Sequence, residues 1–109
     1  HGWGDSANTF SEISKDLQGE YKIISLDLPG FGGSEPPKVA WDLQTYADFV
    51  EAWLHKISVT EIYAFIGHSY GGALLISGLG ADKLSSDKLI LLASAGVRNK
   101  NKLRKRTRK

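Results

Sequence analysis

Residues 67–72 read Gly-His-Ser-Tyr-Gly-Gly, or GHSYGG, and they join two stretches of different character. The stretch before them, 61–67 (EIYAFIG), is apolar and rich in β-branched and aromatic side chains, which is typical of a buried strand. The stretch from 70 to 80 (YGGALLISGLG) is apolar over the length of a helix and ends on glycine. Ser69 is therefore predicted at a tight strand-to-helix turn of the pattern G-x-S-x-G.

A turn of this kind strains the backbone at the serine and folds the helix back over the strand, so the flanking positions must lack side chains. Gly67, Gly71 and Gly72 provide that clearance. The turn presents the Ser69 hydroxyl at the carboxyl ends of the strands, where ligands of open α/β sheets bind, and the first amides of the helix point to the same place. The motif predicts a nucleophile; the alternative is a glycine-rich packing turn with an incidental serine.

The first half of the chain predicts a helix and then a strand. Residues 8–17 (NTFSEISKDL) have apolar side chains at helical spacing, and Thr9 and Glu12 fit a capping box at the helix start. Residues 21–27 (YKIISLD) predict a buried strand, which leads into a glycine- and proline-rich loop at 28–37 (LPGFGGSEPP).

The second half contributes a longer helix and the last strand. Apolar side chains recur at helical spacing after Asp42, a suitable cap, whereas Glu51 and His55 fall on the opposite, polar face. Residues 87–96 (DKLILLASAG) predict the last strand. Helices thus alternate with strands that are continuous apolar runs, which predicts an α/β fold: a mainly parallel sheet between helices, in three layers α/β/α.

Composition limits the classes of function. The 109 residues, 41% of them hydrophobic, suit one globular domain. The sequence has no cysteine, which excludes disulfides and thiolate metal sites, and its three histidines lack metal-ligand spacing, so no cofactor or metal is predicted. No apolar run approaches the roughly 18 to 20 residues of a membrane span. A cytoplasmic location is expected.

Charge divides the chain into two parts. Residues 1–97 hold all 12 acidic residues and 6 of the 14 basic ones, whereas residues 98–109 hold the other 8 basic residues. Such a basic block is more often a solvated end than a nucleic-acid site, so nucleic acid is not an expected partner. We treat 1–97 as the folded core and 98–109 as a basic tail.

Four motifs, in this order and spacing, resemble the α/β-hydrolase superfamily and its bacterial esterase-like members: HGWG at 1–4, DLPGFGGS at 27–34, GHSYGG at 67–72 and LILLASAGVR at 89–98. The resemblance implies a small-molecule acyl substrate and hydrolysis of an ester or a related acyl or C–C bond. It also implies that Ser69 is the nucleophile and that the backbone N–H groups of Trp3 and Tyr70 form the oxyanion hole.

The family's catalytic acid and histidine come later in the chain than any motif found here, so the resemblance implies an incomplete hydrolase, inactive alone, whose residues 98–109 begin a cap. It also implies an empty strand position between the first two strands, and hence marginal stability. Neither His68, beside the serine, nor His1, which is expected to brace its loop, suits the role of base. Asp27 is expected to anchor the glycine-rich loop rather than to serve as the acid.

Two readings from other classes remain open. The spacing Gly2-x-Gly4-x-x-Ala7, followed 20 residues later by Asp27 at the end of a predicted strand, fits a dinucleotide-binding fingerprint. In that reading, however, GHSYGG has no role. The other reading is a non-catalytic α/β fragment or binding scaffold.

Overall fold

The computed structural model describes residues 1–94. Its elements are a 3-10 turn at Ala7–Phe10, helix α1 at Ser11–Leu17, helix α2 at Leu43–Lys56, strand β1 at Ala64–His68, helix α3 at Tyr70–Gly80 and strand β2 at Lys88–Leu92. The final residues predicted for the last strand, 95 and 96, and the basic tail at 98–109 lie outside the described residues.

Strands β1 and β2 pair in parallel, with Ile66 opposite Ile90 and His68 opposite Leu92. The parallel pairing and the α/β class agree with the prediction from continuous apolar strands. Because the strands run the same way, both carboxyl ends lie at one edge of the sheet. Helix α3 starts at that edge, directly after β1, and packs back against β1.

The core lies where α2 packs on α3. Its members are buried apolar side chains, namely Leu28, Tyr46, Ala47, Val50, Leu74, Leu75 and Leu84. The two helices approach closely, since a Cβ added at Gly78 of α3 would lie 3.4 Å from the Cβ of Ala47 in α2. The predicted cap of α2 is confirmed: the Asp42 carboxylate accepts the Thr45 backbone N–H at 2.8 Å.

The start of the first helix differs from the prediction. Its first turn is a 3-10 turn, in which the hydroxyl of Ser6 accepts the Asn8 backbone N–H at 3.3 Å. The α-helix begins only at Ser11, and Phe10 precedes it with no side-chain cap. The predicted capping box of Thr9 and Glu12 is therefore wrong, because Ser6 caps the segment earlier and the first turn takes the tighter helical form.

The predicted strand at residues 21–27 is also wrong for this structure, since this segment has no regular secondary structure and pairs with no strand among residues 1–94. A groove of about 770 Å³ separates it from β1, and side chains of α2 and α3 contribute to the lining. Strand structure needs a hydrogen-bonding neighbour, which apolar sequence alone does not provide. The groove lies where the sequence resemblance implied an empty strand position.

Candidate active site

Ser69 lies at the turn between β1 and α3 in a left-handed backbone conformation, with φ of 52° and ψ of −116°. Its N–H donates to the Leu92 carbonyl at 3.1 Å, and its carbonyl accepts the N–H of Gly72 at 3.0 Å. A non-glycine residue in such a conformation costs about 1–3 kcal/mol, which the surrounding structure must offset. Strand β2 and helix α3 therefore hold the turn from both sides, and the Ser69 side chain remains partly exposed.

The glycines beside Ser69 provide the clearance that the sequence predicted. A Cβ added at Gly67 would lie 2.7 Å from the Cα and 2.8 Å from the N of Gly72, which are backbone atoms that no side-chain rotation can move. The first turn of α3 thus passes directly over the end of β1.

The loop at residues 1–4 packs on this turn. A Cβ added at Gly71 would lie 2.8 Å from both the N and the O of His1, and one added at Gly2 would lie 3.3 Å from the Cβ of Ser69. Among residues 1–94, neither the Trp3 N–H nor the Tyr70 N–H has a protein hydrogen-bond acceptor. Neither of the two amides that the resemblance assigns to the oxyanion hole is thus engaged in a hydrogen bond within these residues.

The direction of the Trp3 amide is set by the carbonyl on the other side of the same peptide unit. The Gly2 carbonyl accepts the His1 Nδ1–H at 2.8 Å and the Asp5 backbone N–H at 3.1 Å. In a trans peptide the carbonyl and the following N–H point in opposite directions, so two donors on the Gly2 oxygen also fix the direction of the Trp3 N–H.

His1 is a buried brace rather than a base. Its Nε2 accepts the Leu28 backbone N–H at 2.9 Å, so the proton of the neutral ring must be on Nδ1, which donates to Gly2. The side chain is only 7% exposed, and its ring meets Phe31 edge-on. The bracing role predicted for His1 is confirmed.

Asp27 joins the start of the 3-10 turn at Ala7–Phe10 to the glycine-rich loop. Its carboxylate accepts the backbone N–H of Ala7 at 2.7 Å and that of Gly33 at 3.0 Å. The bond from Ala7, followed by that from Gly33, lowers the pKa of Asp27. Both oxygens thus serve as structural acceptors, which agrees with the predicted anchor.

The two remaining histidines, His55 and His68, are also not placed to act as a base for Ser69. His55 is on the exposed face of α2, as predicted. The His68 side chain turns toward Asp5, and its Nδ1 lies 3.9 Å from the Asp5 Oδ2. Within the described part of the chain, no histidine hydrogen-bonds to the Ser69 hydroxyl.

Three aromatic rings, those of Trp3, Phe31 and Tyr70, pack together beside the turn and form what we call the aromatic wall. The Trp3 ring, 62% exposed, meets Phe31 edge-on at 4.7 Å and Tyr70 at 5.1 Å. Burial is the main cause that raises the pKa of Tyr70, and the neighbouring Tyr46 and Asp42 add to it, so the phenol stays neutral near pH 7. The sequence does not predict this cluster because its rings come from distant segments with no shared spacing.

Asp5 was also missed, since its contact with His68 follows from no motif. The structure shows no cluster of histidine and acidic side chains suited to a metal ion in residues 1–94. Over the same range, none of the helices has the length and apolar character needed to span a bilayer.

Comparison with known proteins agrees with the fold described above. A family profile described as "alpha/beta hydrolase fold" matches residues 1–102. A pimeloyl-[acyl-carrier protein] methyl ester esterase of Shewanella sp. (strain MR-7) is 40% identical over 72 residues, which are 66% of this chain and 24% of that protein. The uncharacterized hydrolase YugF of Bacillus subtilis is 34% identical over 97 residues, 88% of this chain and 35% of its own length.

A solved structure gives the same fold. An esterase from Exiguobacterium antarcticum superposes with a TM-score of 0.77 at 27% identity, and the match covers 88% of this chain and 36% of that one. The chain thus spans only about a quarter to a third of the length of these proteins.

Proposed function

Because this chain belongs to the α/β-hydrolase family, we propose that it carries the nucleophile and oxyanion hole of a serine hydrolase. The substrate is a small acyl compound, and the bond cleaved is an ester or a related acyl or C–C bond. The observation that carries the proposal is the left-handed backbone of Ser69, held between β1 and α3 with the loop of residues 1–4 packed against it.

In this mechanism the Ser69 Oγ attacks the carbonyl carbon, its proton passes to a base, and the carbonyl oxygen becomes an oxyanion. The N–H groups of Trp3 and Tyr70 donate to that oxyanion. Loss of one such donor typically costs on the order of 10² to 10³ in rate. When this tetrahedral intermediate collapses, the base gives the proton to the leaving alcohol, and an acyl-enzyme remains. Water then attacks the acyl carbon and releases the acid, which regenerates the serine hydroxyl.

The base and the acid that orients it come, in this proposal, from parts of a longer protein beyond residues 1–109. The contacts of His1 and His68 and the exposed position of His55 support this, since none of these side chains hydrogen-bonds to Ser69. The 109-residue chain alone is therefore expected to lack turnover. Residues 1–97 form part of the catalytic core, and residues 98–109 begin the cap that shapes substrate choice.

The test is ester hydrolysis by the full-length protein and two serine variants. Ser69→Ala should reduce hydrolysis of p-nitrophenyl acyl esters to the background rate, because no nucleophile remains. Ser58→Ala is a matched control, since Ser58 also has a left-handed backbone, with φ of 60°, but lies after the end of α2. Turnover that survives Ser69→Ala, or that Ser58→Ala removes equally, contradicts the proposal.

A further inference from the structure

Three side chains from different parts of the site converge on Gly2. A Cβ added there would lie 2.9 Å from the Asp5 Oδ2, 3.3 Å from the His68 Nδ1 and 3.3 Å from the Ser69 Cβ. Asp5 directly follows the loop of residues 1–4, whereas His68 ends β1 immediately before Ser69. A side chain at Gly2 would therefore press on all three, and the next peptide N–H along the loop is that of Trp3.

His68 has an unmet hydrogen-bonding capacity at this point. Its Nδ1 atom is buried and has no hydrogen-bond partner among residues 1–94. The Asp5 Oδ2 faces it at 3.9 Å, about 1 Å beyond the length of a hydrogen bond between charged or polar groups. A buried polar atom without a partner is unfavourable. This pair therefore favours a small movement that brings Asp5 closer to His68.

Asp5 is also hydrogen-bonded to the peptide unit that contains the Trp3 amide. The Asp5 backbone N–H donates to the Gly2 carbonyl at 3.1 Å and closes a tight turn, in which Gly4 has a left-handed φ of 82°. The Gly2 carbonyl and the Trp3 N–H belong to one planar peptide unit. Movement of Asp5 toward His68 therefore moves the peptide unit that carries the Trp3 N–H.

We propose that Asp5 and His68 form a latch that positions the loop of residues 1–4, with its Trp3 N–H, on the turn at Ser69. The His68 Nδ1–H donates to the Asp5 Oδ2 when the oxyanion forms, and the 3.9 Å contact is the open form of this bond. Hydrogen bonds of catalytic sites are often long without substrate and tighten in the transition state. The inference rests on the proposed serine hydrolase, and both residues are positioning residues that touch no substrate.

A latch of this kind has a kinetic signature. The oxyanion develops only in the transition state, so an interaction that positions its donor affects kcat much more than KM. Misplacement of a catalytic group by about 1 Å costs up to roughly 10²-fold. We therefore expect Asp5→Ala and His68→Phe each to lower kcat by about 10- to 100-fold and to change KM by less than about twofold.

The test is a double-mutant cycle in the full-length protein, measured on a p-nitrophenyl ester. Because either change alone breaks the latch, the double variant should be no slower than the slower single variant. His68→Asn should recover much of the activity, since its side-chain amide nitrogen occupies a position close to that of Nδ1. Asp16→Ala, which removes an exposed carboxylate on α1, is the matched control and should match wild-type kcat.

Additive losses in the double variant, a change confined to KM, or a wild-type kcat in Asp5→Ala would each overturn the latch. Asp5→Asn keeps the shape of the side chain and its acceptor oxygen, so it should retain more activity than Asp5→Ala; equal losses would also count against the latch. Failure of the latch is distinguishable from failure of the proposed function. If only the latch is wrong, Ser69→Ala still abolishes hydrolysis. If the proposed function is wrong, hydrolysis survives Ser69→Ala.

Discussion

Replacing Gly71 with alanine tests whether the loop of residues 1–4 must lie against the start of α3. The new Cβ would lie 2.8 Å from the N and the O of His1. Ordinary contacts of this kind begin near 3.5 Å, so the loop or the helix must move by roughly 0.7 Å. The opposing atoms are backbone, so no rotamer change relieves the contact.

A displacement of this size should reach the Trp3 amide, two residues along the loop. Since a misplacement of about 1 Å costs up to roughly 10²-fold, we expect Gly71→Ala to lower kcat of the full-length protein by about 10- to 100-fold. The free energy of unfolding should also fall, because overpacking costs about 1–3 kcal/mol and the higher helix propensity of alanine returns only about 1 kcal/mol.

Two further glycines of α3 separate these effects. A Cβ at Gly80 meets nothing within 4 Å, so Gly80→Ala should leave kcat unchanged and the stability equal or slightly higher. A Cβ at Gly78 would lie 2.6 Å from the Leu84 Cδ1, far from the loop, so Gly78→Ala should reduce stability without reducing kcat. Initial rates measure kcat, and urea denaturation measures the free energy of unfolding. A wild-type kcat in Gly71→Ala would refute the reasoning about loop position.

Other expected outcomes concern the brace, the anchor and the groove. His1→Phe should lower kcat and cost about 1–3 kcal/mol of unfolding free energy, measured by urea denaturation, because the buried Leu28 N–H loses its acceptor; an unchanged kcat would contradict the bracing role. The folded-state pKa of Asp27 is lowered, so its stabilisation is present above its ordinary pKa of about 3.9 and is lost as pH falls through the lowered value. Urea denaturation between pH 7 and pH 3 should therefore show Asp27→Asn less stable than wild type at pH 7, with the difference shrinking in acid; a constant difference would oppose this. The groove leaves one edge of β1 unpaired within residues 1–94, so the 109-residue chain should self-associate in sedimentation experiments, and Ile24→Lys, in the segment across the groove, should reduce this; a monomer at all concentrations would disagree.

The sequence predicted the features that depend on local chemistry. The left-handed turn at Ser69 requires glycines at fixed neighbouring positions, so it could be read from six residues. The cap at Asp42 and the buried face of α2 likewise follow from side chains within a few residues of one another.

Features that depend on distant partners were not predictable in the same way. The apolar run at 21–27 has strand character, but its pairing depends on a neighbour that residues 1–94 do not provide. The approach of Asp5 to His68 joins residues 63 positions apart, and neither belongs to a spacing rule. The aromatic wall around Trp3 similarly combines rings from three segments. Local patterns thus located the candidate nucleophile, whereas only the fold revealed what surrounds it.

The most direct test of the proposed function is to find where a fluorophosphonate probe attaches to the full-length protein. The probe phosphonylates an activated serine, and tryptic mass spectrometry locates the modified residue. We expect one adduct on Ser69 and none in Ser69→Ala, with Ser58→Ala labelled as in wild type. An adduct on a different serine, or labelling that persists in Ser69→Ala, would contradict the assignment of Ser69 as the nucleophile.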